Sequence, residues 1–288
     1  MAIRNPVEWG ADQFRQTMFG IESVNRGIVP SASVGHMAQP IVRRIKVADL
    51  KDVLAGGFRD FGAQRTDVVF LCAFYPVIGL LFASMAAGHA MLPLLFPLVS
   101  GFALLGPIAG VGLNEMSRRR ELGISEGWTD VFRVLHSPSI GAIVLLGAVL
   151  SGLFLAWLMT AYALYDLTLG PQAPASFAAF AHDVFQTAAG HRLIVTGVAA
   201  GFIFASIVLV ISVVAFPLLL DREVGVEVAV RTSLRAVRAN PVPMAVWGLI
   251  IAASLMIGSI PLLLGLVIAL PVLGHASWHL YRKMVIMP

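Results

Sequence analysis

Residues 106–123 read GPIAGVGLNEMSRRRELG. From Val68 to Leu113 the chain has no Asp, Glu, Lys or Arg. That run ends abruptly in Asn114, Glu115 and three consecutive arginines, Arg118, Arg119 and Arg120. Such an edge is the signature of a helix leaving a bilayer on its positively charged side. The remaining apolar runs can be oriented from this exit.

Composition points the same way. The 288 residues are 58% hydrophobic and 12% charged, with a mean hydropathy of +0.85. Soluble domains are about a quarter charged, so half that fraction with long apolar runs indicates an integral membrane protein. The single cysteine, Cys72, excludes an internal disulfide and a multi-cysteine metal centre. It lies in an apolar run and reads as a packing residue. The first long apolar run begins near Val68, so we expect no cleavable signal peptide, and the first span serves as the insertion signal.

Taken in order, residues 1–45 are a cytoplasmic leader, partly disordered, punctuated by Pro6, Gly20, Gly27, Pro30 and Gly35. Val7, Ala11, Phe14 and Met18 give it one short helical face. Residues 46–284 form the membrane domain. Leu50, Val53, Leu54, Phe58 and Phe61 recur at helical spacing, with Lys51, Asp52, Arg59 and Asp60 on other faces. This predicts an amphipathic helix on the membrane surface, weakened or kinked at Gly56-Gly57. Trp128, Val131, Phe132 and Leu135 mark a second such helix. Val226, Val230, Leu234 and Val237 mark a third, with Glu227 and Arg231 as an i,i+4 pair.

The run from Val68 to Leu113 would reach about 69 Å as one helix, against a hydrocarbon core of about 30 Å, so it must fold back, with Gly88-His89 as the turn. The same argument breaks the last apolar run at Gly258-Ser259-Ile260-Pro261; a single kinked span is the alternative there. The expected fold is therefore all-α, a polytopic membrane helix bundle. Its six spans, about 68–88, 91–113, 139–165, 193–220, 241–258 and 260–281, pair as three hairpins, each preceded by a cytoplasmic amphipathic helix. A short helix is expected in the loop between spans three and four, around Phe177, Phe180 and Phe185. With these spans, 19 of the 20 Lys and Arg fall on one side and only Arg192 on the other. The positive-inside rule then places both termini in the cytoplasm.

An internal repeat accompanies this pattern. Gly57-Phe58-Arg59-Asp60-Phe61 is echoed by Gly127-Trp128-Thr129-Asp130-Val131, and Pro107, Pro217 and Pro271 stand near the cytoplasmic ends of the even-numbered spans. We read three parallel units of a surface helix plus a transmembrane hairpin.

Two stretches carry a family resemblance: GPIAGVGLNEMSRRRELG (106–123) with the Gly-Trp-x-Asp helix after it, and FPLLLDREV (216–224) running on to TSLRAVRANPVPMAVWG (232–248). Together they resemble an uncharacterised family of bacterial integral membrane proteins, domain of unknown function 2189, over about residues 40–283. The resemblance implies a multi-pass protein of the bacterial cytoplasmic (inner) membrane and no activity that can be transferred.

The candidate chemistry is concentrated at the cytoplasmic exits. Glu115, Arg118, Arg119, Asp221 and Arg222 form a charged layer suited to structural ion pairs and to anionic lipid head groups, a ligand or a protein partner. The spans lack mid-membrane carboxylates and cations, which argues against ion-coupled transport. Ser100, Ser151, Thr160, Thr196, Ser206, Ser212 and Ser254 either bond their own helices or line a path for a neutral solute. Gly106 with Gly110, and Gly197 with Gly201, are small-residue ridges for helix packing within the bundle or in a homodimer. His275 and His279 are i,i+4 on the last span, weak candidates for metal or haem ligation, with Trp278 and Tyr281 as interfacial anchors. No nucleophile–base pair, phosphate-binding glycine loop or nucleic-acid motif is present. We expect no cofactor and no nucleic-acid partner, and as partners the lipid bilayer, anionic lipids within it, and a membrane protein or second copy. The leading functional expectation is a non-enzymatic protein that organises membrane lipid or assists assembly of a membrane complex. A channel or uniporter for a small uncharged solute is the alternative, and a metal- or haem-dependent membrane enzyme the second.

Overall fold

A computed structural model describes residues 40–72, 77, 92–124, 133–261 and 263–286. The described elements are β1 (Ile41–Val42), α1 (Asp49–Cys72), α2 (Leu92–Gly101), a 3-10 turn (Phe102–Leu105), α3 (Gly106–Glu121) and α4 (Ile140–Thr168). They continue with α5 (Phe177–Gln186), α6 (Ala188–Ser212), α7 (Ala215–Asp221), α8 (Val226–Ala239), α9 (Pro241–Ser259), α10 (Leu266–Met284) and β2 (Val285–Ile286).

The fold is helical. Four stretches, Leu92–Glu121, Ile140–Thr168, Ala188–Asp221 and Pro241–Ser259, are long and apolar enough to cross a membrane. They correspond to spans two to five of the sequence reading. Their outer faces carry large exposed apolar side chains, among them Leu155 and Met159 on α4, Val198 and Phe202 on α6, and Leu249 and Met256 on α9. A surface of that kind is stable against lipid rather than water.

Span one lies mostly outside the described residues, as do the Gly88-His89 turn, the helical face at Val7 to Met18, and residues 125–132 with the second copy of the repeat. Span six appears as α10, which starts at Leu266 after a turn and is not among the four apolar stretches. In that turn Leu263 adopts a positive φ of 66°. A Cβ on Gly265 would come within 2.6 Å of the Gly258 Cα, so the close approach of α9 and α10 here requires glycine.

Two spans are interrupted, each beside a proline. The 3-10 turn separates α2 from α3, whose first turn holds Pro107. The carbonyl of Pro97, inside α2, accepts a hydrogen bond from Trp157 Nε1 at 2.9 Å. The break between α6 and α7 has a clear cause. Ser233 Oγ donates to the Val210 carbonyl at 2.7 Å and accepts from the Val214 amide at 3.3 Å. Its hydroxyl thus sits inside the i→i−4 ladder of 210 and 214, a recognised origin of helix kinks.

The first amphipathic helix departs from expectation. Helix α1 runs unbroken from Asp49 to Cys72 and packs most extensively against α10. Lys283 lies near Asp49 and Asp52, His279 over Gly56, and Ala276 beside Gly57, so the two helices run antiparallel. Gly56-Gly57 is not a kink but a notch: a Cβ on Gly57 would lie 2.6 Å from the Val272 carbonyl oxygen. The buried face comprises Leu50, Val53, Gly56, Gly57 and Asp60, whereas Phe58 is exposed.

Helix α8 also turns a different face inward. Ala229, Thr232, Ser233 and Ala236 are buried, flanked by half-buried Val226, Val230 and Val237. Small residues let α8 approach α6 and α7 closely enough for Ser233 to reach the broken ladder. The expected ion pair on its outer face is present, Arg231 to Glu227 at 2.7 Å. Helix α5 forms where the aromatic spacing predicts it, capped by Ser176 Oγ accepting from the Ala179 amide.

The end of the leader is held in an unexpected way. Ile41 and Val42 pair antiparallel with Ile286 and Val285. Asn240, between α8 and α9, fixes the following residues: its Oδ1 accepts from the Ile45 amide at 2.7 Å, and its Nδ2 donates to the carbonyls of Arg43 and Ala236, both at 3.0 Å. Together with α1, the end of α3, α7, α8 and the second half of α10, this strand pair closes a sealed core at one end of the bundle. Phe216, Leu218, Leu219, Trp278 and Leu280 are fully buried there, each worth ~1.5–3 kcal/mol over exposure.

Candidate functional site

The charged ends of α3, α7 and α10 converge. Helix α3 ends in Arg118, Arg119 and Arg120, cations placed favourably at a helix C-terminus. Glu115, one turn back and only 5% exposed, accepts both a 2.7 Å bond from Arg118 Nε and a 2.9 Å bond from Arg118 Nη2. That bidentate geometry holds the guanidinium in one orientation. From α7, Asp221 accepts from Tyr281 Oη at 2.8 Å and lies 3.6 Å from Arg222 Nε and 3.8 Å from Arg282. Glu121 accepts from Trp278 Nε1 at 2.9 Å and from Arg282.

A cleft of ≈ 680 Å³ opens between these groups and the start of α4. Glu115, Arg118, Arg119, Asp221 and Arg222, the five residues singled out from sequence, all line it, joined by Arg133 and Glu223. Its floor at Ser139 is pinned by a hydrogen bond from Ser139 Oγ to the Arg222 carbonyl at 3.4 Å. Four arginines against three carboxylates give the cleft a positive excess of one, which favours anions.

Behind the cleft lies a buried network that the sequence did not indicate. Asp60, 6% exposed, accepts from Ser117 Oγ at 2.7 Å and His279 Nε2 at 2.9 Å, with Arg120 at 3.5 Å. Burial opposes the charge on this carboxylate, but the bonds from His279 and Ser117 outweigh it and hold Asp60 below the usual carboxylate range. Because the one Ser117 proton goes to Asp60, His275 Nδ1, 2.8 Å from Ser117 Oγ, must be the donor in that pair. His275 Nε2 is buried without a hydrogen-bond partner.

His275 thus faces Ser117, and His279 faces Asp60. Among the described residues no group of three His, Cys, Asp or Glu side chains is placed to hold a metal. Trp278 and Tyr281, expected as interfacial anchors, are each 1% exposed and hydrogen-bonded to carboxylates. Of the glycines, Gly110 faces the Gly274 Cα of α10, and Gly201 faces the Trp157 ring on α4. A Cβ on Gly106 or Gly197 would meet nothing within 4 Å. Ser100, Ser151, Thr160, Thr196 and Ser212 each donate to a carbonyl of their own helix.

Comparison with known families bears on the same region. Residues 95–221 match the model of a family described as predicted integral membrane protein (DUF2189). Over this stretch the chain is similar to that family. The match is narrower than the resemblance read from the sequence: it takes in the 106–123 exit and ends at Asp221, leaving 232–248 outside. The matched stretch holds Glu115, Arg118, Arg119 and Asp221; Asp60, His275 and His279 lie beyond it. No curated protein and no solved structure matches the chain.

Proposed function

We propose that this integral membrane protein is non-enzymatic and organises lipid, or supports assembly of a membrane complex, by holding an anionic head group in the charged cleft. The observation that carries this reading is the convergence of Glu115, Arg118, Arg119, Asp221 and Arg222, from helices about 100 residues apart, around one ≈ 680 Å³ cavity. Arginine forks held in fixed orientation suit phosphate oxygens. In this reading the chain crosses the inner membrane six times as three hairpins, with both termini and the cleft on the cytoplasmic side. The four apolar stretches and the grouping of arginine-bearing helix ends support it. The self-bonded hydroxyls and an apolar interior built from Leu146, Leu150, Trp157, Val208 and Trp247 weigh against a solute channel.

The test is lipid retention. The full chain, purified in mild detergent, is expected to carry anionic lipid detected by native mass spectrometry. Arg118→Ala combined with Arg222→Ala is expected to reduce that retention by about a hundredfold or more while leaving neutral lipid unchanged, as loss of two charge-assisted contacts at ~1.5–3 kcal/mol each implies. Equal retention by both proteins would remove the proposal.

A further inference from the structure

A second basic site lies on the outer surface, away from the cleft. Helix α9 runs from Pro241 to Ser259, 19 residues, or about 28 Å at 1.5 Å per residue. The hydrocarbon core is about 30 Å thick, so α9 crosses it with no length to spare. Asn240 must then stand at the boundary between acyl chains and head groups. Whatever is fixed around Asn240 sits at head-group depth.

What is fixed there is arginine. Arg238 precedes Asn240 by two residues, and Arg235 lies one turn earlier on the same helix. Arg43 and Arg44 are brought to the junction by β1, through the Asn240 bonds to the Arg43 carbonyl and the Ile45 amide. All four side chains are exposed, and among the described residues no carboxylate pairs with any of them. The nearby carboxylates are engaged elsewhere: Glu227 with Arg231, and Asp49 and Asp52 with Lys283. Just past the junction Val242 is 62% exposed, an apolar side chain where acyl chains begin.

We propose that Arg43, Arg44, Arg235 and Arg238 form a basic collar around the entry of α9 that binds the phosphates of anionic lipids in the surrounding bilayer. Asn240 assembles the collar from two distant pieces of chain. The collar recruits a shell of lipid by charge, independently of any single lipid held in the cleft. It rests on α9 crossing the membrane but not on the cleft being occupied.

The experiment uses the full chain reconstituted in phosphatidylcholine bilayers with spin-labelled phosphatidylglycerol or phosphatidylcholine as the probe. The expected result is a preference of roughly threefold or more for phosphatidylglycerol in the protein-bound shell, collapsing in 1 M salt, where the screening length falls to about 3 Å. Replacing all four arginines with glutamine brings the preference close to one for every lipid but the single one held in the cleft. Replacing all four with lysine keeps it, because charge and not fork geometry acts at a fluid surface. Arg118→Ala with Arg222→Ala lowers it by no more than the single lipid held in the cleft. The proposal is overturned if the glutamine protein keeps the preference, if the lysine protein loses it, or if the cleft variant alone abolishes it. Thermal unfolding of each variant confirms that the comparison is made on folded protein.

Discussion

Replacing Gly57 with alanine is expected to destabilise the protein, although alanine is the better helix former. The added Cβ would lie 2.6 Å from the Val272 carbonyl oxygen, 2.8 Å from the Ala276 Cβ and 3.0 Å from the Ala276 amide nitrogen. Ordinary contact begins at 3.4 Å, so α1 and α10 must separate by about 0.8 Å, the difference between 3.4 and 2.6. Two of these three atoms are backbone and cannot rotate away. The His279–Asp60 bond, now 2.9 Å, would stretch to about 3.7 Å under the same shift, beyond hydrogen-bonding range. Overpacking costs ~1–3 kcal/mol, and a lost bond to a buried charge adds ~1.5–3 kcal/mol. The helix-propensity gain offsets only ~1 kcal/mol. The net loss is therefore on the order of 2 kcal/mol or more. Gly62, on the same helix, is the internal control: a Cβ there meets nothing within 4 Å, so Gly62→Ala should be neutral or stabilising by up to ~1 kcal/mol. Denaturant titration in detergent, followed by tryptophan fluorescence, measures both. If Gly57→Ala proved as stable as the wild type, or if both substitutions shifted stability the same way, the notch would not be what holds α1 against α10.

Further expectations concern the polar ties. Asp60→Asn should cost ~1–3 kcal/mol near neutral pH by weakening the bonds from His279 and Ser117. Asp60 has a depressed folded pKa, so its contribution is complete above the unfolded value of about 3.9 and is lost as pH falls through the lower folded value. The stability gap between wild type and Asp60→Asn should therefore narrow on acidification below about pH 4; a constant gap down to pH 2 would contradict the assignment. Asn240→Ala removes three hydrogen bonds and should cost ~1–3 kcal/mol. It should also open the Arg43-Arg44 peptide to trypsin, and unchanged proteolysis would show that β1 is held by its pairing with β2 alone.

The membrane character, the approximate limits of spans two to five and the exits at Arg118–Arg120 and Asp221-Arg222 were legible in the chain. They depend on run length, helical rise and local charge, all properties of neighbouring residues. The five residues of the charged layer line one cleft because they stand in the last turns of α3 and at the end of α7, which pack together. Asp60 departs from its sequence pattern for an equally physical reason. Its spacing placed it off the apolar face, but that face includes two glycines, which carry no hydrophobic signal and mark the closest contact. Aromatic residues near a span end fit the role of interfacial anchors, whereas carboxylates from α7 and α3 satisfy Tyr281 and Trp278 here.

By itself the sequence determined that apolar helices must lie in lipid, and where charge stops them, because a bilayer imposes one length and one polarity on every segment alike. Only the tertiary structure decided which polar groups meet. Asp60 and His279 are 219 residues apart and Asn240 and Arg43 are 197 apart. A buried donor and its acceptor are chosen by the path of the whole chain, and no local pattern encodes that path.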